Sequence, residues 1–192
     1  MSWWQKLWRK PKRRWLCGIP IGGFLLFGLG ALGWVGFDAT LHQTNTLGFC
    51  TSCHEMSDNI QPEYERSVHF KNAAGVRAIC SDCHVPHDFF PKMQAKAAAT
   101  VNELPKWAMG TLRPKEKFAA ARLEMAKDVW AKMKETDSRE CRNCHSLEAM
   151  DRDSQDASAG KKHSKERMVA RGETCIDCHK GIGHDLPPGY TD

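Results

Sequence analysis

From Trp15 to Phe37 the chain reads WLCGIPIGGFLLFGLGALGWVGF, 23 positions without a charged side chain. As a helix this stretch is about 35 Å long, enough to cross a bilayer with some tilt. A cleaved export signal is the competing reading, but its apolar region is usually about 7 to 15 residues and ends in small residues before the cut. Here the run is longer, keeps Trp34 near its far end and continues into FDATLHQ without a convincing A-x-A site, so a retained membrane-spanning helix is expected over 15–37. Two later segments carry helical patterning. PKMQAKAAATVNEL, residues 91–104, is alanine-rich and is expected to stop at Pro105. PKEKFAAARLEMAKDVWAKMKE, residues 114–135, opens on Pro114, which suits a first helical turn, and sets Phe118, Met125, Val129 and Met133 along one stripe read as packing surface. DRDSQDASAGKK, residues 151–162, shows no periodicity and reads as a solvated loop.

Charge changes the picture at the N-terminus. Residues 1–14, MSWWQKLWRKPKRR, hold Lys6, Arg9, Lys10, Lys12, Arg13 and Arg14 and no acid. The positive-inside rule places this tail in the cytoplasm and everything after Phe37 on the opposite side. Trp3, Trp4, Trp8 and Trp15 suit the inner interface. The formal charge of +5 is therefore topological, since residues 38–192 carry 22 basic against 23 acidic side chains. No nucleic-acid surface is expected. The same 155 residues are long enough for one domain but contain only nine Phe, Trp or Tyr, too few aromatics for an ordinary core of that size.

The missing apolar mass has a candidate in four repeated motifs. Cys50–Cys53–His54, Cys80–Cys83–His84, Cys141–Cys144–His145 and Cys175–Cys178–His179 each read C-x-x-C-H. This is the pattern by which two thiols bond a haem and the adjoining imidazole reaches its iron. Zinc ligation and disulfides also use paired cysteines, but neither requires the histidine. With 9 histidines in 192 residues, four such coincidences have a chance of about five in a million. Four covalent haem c groups are the expectation, with maturation outside the cytoplasm. The fold class that follows is mainly α: one N-terminal transmembrane helix, and short helices and loops wrapped on four haems over 38–192. Cys17 stands apart and reads as a packed thiol. The motifs fall into two pairs, 30 residues from Cys50 to Cys80 and 34 from Cys141 to Cys175, with 61 between the pairs, which points to two di-haem halves.

Each iron has two axial positions, and the motif fills one of them. Five histidines remain: His42, His69, His87, His163 and His184. His42 lies five residues past the anchor and reads as an interfacial or loop residue. The other four equal the haems in number, and filled axial positions favour electron transfer over catalysis at iron. Met56, two residues after His54, is close enough to compete for the same iron, or else packs on the porphyrin.

The basic tail, single anchor, CTSCHEM, SVHF, CSDCHVPHDFFPK, helical middle, CRNCH and TCIDCHKGIGHDLP resemble the NapC/NirT family of membrane-anchored tetrahaem quinol dehydrogenases, most closely its NapC-type members. The match covers essentially the whole chain. The resemblance implies a single-pass protein of the bacterial inner membrane with its haem domain in the periplasm. It would take electrons from quinol, either ubiquinol or menaquinol, and pass them to a periplasmic reductase, foremost a nitrate reductase with a cytochrome c subunit. A homodimer is one allowed state. His69, His87, His163 and His184 match the distal histidines of NapC-type members, whereas the NrfH-type members use the methionine of C-x-x-C-H-x-M on the first haem, which implies Met56. These two implications conflict, so haem 1 takes either His54 with a distal histidine or Met56. Lys96 and Glu103, seven apart on the predicted helix, share a face and match basic and acidic positions lining the family's quinol pocket. Lys96 is the expected partner of the quinol oxygen and Glu103 the expected proton acceptor, against the alternative of a solvated ion pair. Two other functions remain open at this level: a donor serving several reductases, and a haem enzyme reducing nitrite at an open iron. Some relatives carry a further C-terminal haem domain; with the chain ending 13 residues after His179, none is expected here.

Overall fold

The structure, a computed structural model, describes residues 2–10 and 19–191. Among them every regular element is helical and there is no strand. Lys12, Arg13, Arg14, Trp15 and Cys17, to which the sequence assigned parts of the tail and anchor, lie outside the described residues. The chain divides into two compact units, one ending at Thr44 and one beginning at Asn45.

The first unit holds α1 (Trp3–Leu7) and α2 (Ile21–Gln43). With a mean hydropathy of 1.6 and none of its apolar window buried, α2 is long and apolar enough to cross a membrane. It runs six residues past Phe37, because propagation is favourable once a helix is formed. Thr40 Oγ1 donates to Gly36 O at 2.8 Å, and Thr44 closes the end by donating its N–H to Thr40 O at 3.0 Å. His42 belongs to this last turn, one turn from Asp38 and exposed to solvent.

In the second unit α3 (Leu47–Cys50), α4 (His54–Asn59) and α5 (Gln61–Tyr64) lead to α6 (Cys80–His84). The long helices α7 (Phe89–Ala108) and α8 (Lys115–Glu135) follow, and the chain ends through α9 (Arg139–Arg142), α10 (Ala157–Lys162), α11 (Lys165–Arg171) and α12 (Cys175–Cys178). Phe118 is buried and Met125, Val129 and Met133 are half-buried, so the predicted stripe of α8 does face the interior. Two expectations need correction. The 91–104 helix does not stop at Pro105: α7 carries on to Ala108. Pro105 has no N–H to give to Val101 O, but this exposed carbonyl can turn to water instead. Residues 151–162 are not loop throughout, because Ala157–Lys162 forms α10 behind Asp156 at its N-cap position.

Tyr64, Phe118, Met168 and Ile176 are the buried large hydrophobics among the described residues. The buried polar residues Glu55, Ser81, Ser138, Glu140 and Thr174 all lie inside a C-x-x-C-H motif or within three residues of one. The interior of this unit is therefore organised around the motifs.

Candidate haem centres

Two motifs are shaped by their third residue. In CSDCH, Asp82 Oδ2 accepts from Ile79 N at 2.8 Å, and in CIDCH, Asp177 Oδ2 accepts from Thr174 N at 2.8 Å. Each carboxylate satisfies a backbone donor at the start of a short helix and so fixes the turn that carries the two cysteines. Cysteines three apart on one turn present both sulfurs to the same side. All eight motif cysteines are free thiols, and among the described residues no cluster of three or more His, Cys, Asp or Glu is arranged to hold a metal ion.

The pairing read from the spacing is present in space. The Cys50 and Cys80 thiols lie within interaction range of each other, and so do those of Cys141 and Cys175. The first pair is steadied by Ser81 Oγ, which donates to Asn45 O at 2.7 Å. In the second pair Ser138 Oγ donates to Thr174 Oγ1 at 2.9 Å and accepts from Ile176 N at 3.1 Å. Packing of α6 on α9 joins the two pairs. The attachment points therefore neighbour one another in chain order: first to second, second to third, third to fourth.

Three spare histidines face three motif histidines. The ring centroids are 6.4 Å apart for His84 and His184, 6.3 Å for His145 and His69, and 5.8 Å for His179 and His163. Two metal–nitrogen bonds of about 2 Å plus the half-widths of two imidazoles come to about 6 Å, so each pair fits a single iron held between its rings. Second contacts orient two of the distal rings. His163 Nδ1 lies 2.6 Å from Gln155 Oε1 and His69 Nδ1 lies 3.3 Å from Ile182 O. A proton on Nδ1 donates to each acceptor and leaves Nε2 bare for metal. His84 is exposed by its accessible surface, yet the protein crowded around its ring, and then the facing His184, push its pKa down to about 4. Burial, ahead of neighbouring charges, also lowers His179 and His184. Neutral imidazole is the form that ligates a metal.

The first motif is different. His54 Nε2 lies 3.2 Å from Glu55 Oε1, which also accepts from Arg113 Nε at 3.2 Å. Glu55 is 5% exposed, and its Oε2 is buried without a hydrogen-bond partner. Among the described residues no second histidine ring faces His54: His87 is exposed, with Nε2 3.9 Å from Asp82 Oδ1. A groove of about 330 Å³ opens beside His54 and Glu55 instead, with Arg113 and Lys115 also in its lining. Met56 is half-buried on the same short helix as His54.

The model of the NapC/NirT cytochrome c family, N-terminal region, matches residues 12–189. The chain belongs to the NapC/NirT cytochrome c family. It is 48% identical over 190 residues to the denitrification system component NirT of Stutzerimonas stutzeri, covering 97% of this chain and 90% of the relative. Against the cytochrome c-type protein NapC of Escherichia coli K12 it is 47% identical over 184 residues, covering 95% and 88%. A chain of Allochromatium vinosum described as tetraheme cytochrome-c type is 44% identical over 167 residues, covering 85% and 89%. No solved structure matches.

For this NapC/NirT cytochrome the donor set fits haem c: thiols Cys50 and Cys53, Cys80 and Cys83, Cys141 and Cys144, and Cys175 and Cys178, each pair followed by its histidine. Haem c supplies, when bound, an iron centre that exchanges single electrons. The expected quinol-site pair lies on α7, with Lys96 half-buried and Glu103 exposed. Lys96 is close enough to the first motif to feel the charge of Cys50, while burial lowers its ammonium pKa below the ordinary value. Sequence reasoning missed the side chains that fasten the segment carrying His184. Arg122 Nη1 donates to Glu63 Oε1 at 2.7 Å, Arg122 Nη2 bonds Glu63 Oε2, and the same Nη2 donates to Asp185 O at 2.6 Å. Asp185 N donates to Glu63 Oε2 at 3.0 Å, and Arg66 Nη2 reaches Asp185 Oδ2 at 2.7 Å. Together they fasten the residue next to His184. The partners are 59 to 122 positions apart, so no local pattern announces them.

Proposed function

We propose that this NapC/NirT-family cytochrome is anchored in the bacterial inner membrane by α2, oxidises quinol beside its first motif, and passes electrons to a periplasmic reductase. The reading is carried by the difference between the first motif and the other three. His84, His145 and His179 each face a second imidazole, whereas His54 borders an open groove. Six residues separate Gln43 from Cys50, and the chain between them reaches about 25 Å at most, within range of a lipid-soluble quinol. Lys96, partly desolvated and near Cys50, is suited to donate a hydrogen bond to a quinol oxygen. Glu103 is two turns away on the same helix and is assigned as the proton acceptor that quinol oxidation requires. On the first iron, Met56 and His87 are the alternatives to a site left with His54 alone. His69, His163 and His184 are assigned as the distal ligands of the third, fourth and second haems respectively. The basic Lys6, Arg9 and Lys10 set the tail in the cytoplasm, and the 45–191 unit then faces the periplasm.

The reductase is assigned to nitrogen-oxyanion respiration, with a nitrate reductase as first candidate, in line with a relative named as a denitrification component. The deciding experiment is Lys96→Gln with Glu103→Gln in the full holoprotein. Quinol oxidation is expected to be lost while haem content and reduction by dithionite are unchanged. Undiminished quinol turnover would remove both residues from the site. Nitrite turnover by the isolated chain would make it a reductase in its own right.

A further inference from the structure

The long helix α7 is built inside out. Phe90, Gln94, Ala97, Val101, Leu104 and Ala108 fall within about 40° of one line down the helix, and Gln94 is the only polar residue among them. That line is exposed: Phe90 is 79%, Val101 70% and Leu104 52% accessible. Partly covered are Pro91, Lys92, Ala95, Lys96 and Ala99, which point away from that line, and Met93 at its margin. A helix of a water-soluble domain turns its apolar stripe to the core, so this arrangement calls for a second apolar medium.

The first haem does not provide it. Lys96 is the α7 residue that senses Cys50, and it lies about 120° around the helix from Phe90 and about 140° from Val101. No other helix packs along α7 among the described residues at more than isolated points. We propose that α7 lies flat on the outer surface of the membrane with the Phe90–Val101–Leu104 stripe sunk into lipid. This rests on the reading that α2 crosses the bilayer, and it adds a second, monotopic contact to that anchor.

Chain connectivity favours lipid over a protein partner. The anchor ends at Gln43, the haem-bearing unit begins at Asn45, and Asn45 O is already held by Ser81. Cys50 follows five residues later and Lys96 is near it, so the middle of α7 is tied by a short path to the point where the chain leaves the bilayer. Composition fits an interfacial helix as well. Lys92, Lys96, Glu103 and Lys106 occupy the opposite side, and Phe89 and Trp107 sit along one margin, each 48% exposed, where an aromatic ring suits headgroup depth. Cationic Lys92 and Lys106 complement anionic headgroups.

The test uses the full-length holoprotein in liposomes of phosphatidylethanolamine and phosphatidylglycerol containing a phospholipid with a photoactivatable acyl chain. After illumination, lipid adducts are mapped by peptide mass spectrometry. Adducts are expected on α2 and on α7 at Phe90, Val101 and Leu104, and α8 serves as the unlabelled reference. In Phe90→Gln/Val101→Gln/Leu104→Gln the α7 adducts should fall to the α8 level while haem content and α2 labelling persist. Labelling of α2 with α7 at the α8 level overturns the proposal and leaves the anchor standing. Absence of α2 labelling overturns both. Adducts joining α7 to a second copy in place of lipid would make the stripe a dimer surface and likewise overturn it.

Discussion

His184 stands opposite His84 because side chains remote in sequence converge on residue 185. The Arg122 and Glu63 side chains are only 12% and 15% exposed, so their pairing is partly shielded from water and each leaves a costly charge if the other is removed. Replacing Arg122 by Leu should therefore cost about 3 kcal/mol and free the His184 loop. The specific expectation is that one of the four haems loses its low-spin bis-imidazole signature in magnetic spectroscopy while haem content stays at four; Arg122→Lys should restore part of it. An unchanged axial-ligand spectrum would show that the clasp does not position His184. The same clasp has a pH dependence of known sign. Burial by itself raises the Glu63 carboxyl, but the hydrogen bonds and charge of Arg122, with the Asp185 N–H, outweigh it and hold the pKa below its ordinary 4.5. A depressed carboxylate contributes stability that is complete above about pH 4.5 and is lost as pH falls through the lower folded value. Acid unfolding of Glu63→Gln should thus be flatter below pH 4.5 than that of the parent chain. Gln155 acts on His163 by orientation, not charge: if His163 is the distal ligand proposed for the fourth haem, Gln155→Leu removes the acceptor of Nδ1 and should weaken that ligation, read as a shift in a single redox step.

At the level of elements, Ser138 joins the third motif to the fourth. It is fully buried in left-handed backbone (φ 49°), and its hydroxyl links the start of α9 to Thr174 and Ile176 at the start of α12. Ser138→Val loses both hydrogen bonds and puts a β-branched side chain at positive φ, so a loss of about 2–4 kcal/mol is expected from the thermal melt of the holoprotein. Ser138→Gly relieves the backbone and should recover part of that loss, which separates strain from hydrogen bonding. The Ser138 role was not legible in the sequence, where RECRNCH gives no sign that the turn before it must be left-handed. Other elements were legible. The Phe118 stripe gave the facing side of α8, and repeated C-x-x-C-H spacing gave two neighbouring pairs. The overrun of α7 past Pro105 escaped because proline acts only on one backbone bond, and an exposed helix end tolerates that loss. The turn at Ala157–Lys162 escaped because Asp156 and two alanines are too short a signal among eight other polar residues and a glycine.

Taken as a whole molecule, the chain shows one kind of order in its sequence and another in space. Covalent motifs and the anchor are local, so the four attachment sites and the apolar helix can be read from residue order alone. The match between His69 and His145, His184 and His84, and His163 and His179 is set by long-range folding and exists only in three dimensions. What connects the two kinds of order is the short passage at residue 44. Thr44 caps α2 by donating to Thr40 O, and Asn45 O already accepts from Ser81, so there is little free chain between a helix suited to lipid and a unit that carries four motifs. If quinol is oxidised at the first motif, this brevity is functional, because the covalent link limits how far that motif can stray from the end of α2. Ten Gly/Ser residues inserted after Thr44 would form a flexible link with a root-mean-square span of about 17 Å and lower the effective concentration of the first motif at the membrane surface. Quinol-driven reduction of the full holoprotein in liposomes should then slow markedly, while reduction by water-soluble dithionite proceeds at the parent rate. Equal slowing with both donors would mean that the insertion had damaged the haem-bearing unit. An unaltered quinol rate would mean that the entry point for electrons is not fixed by the tether.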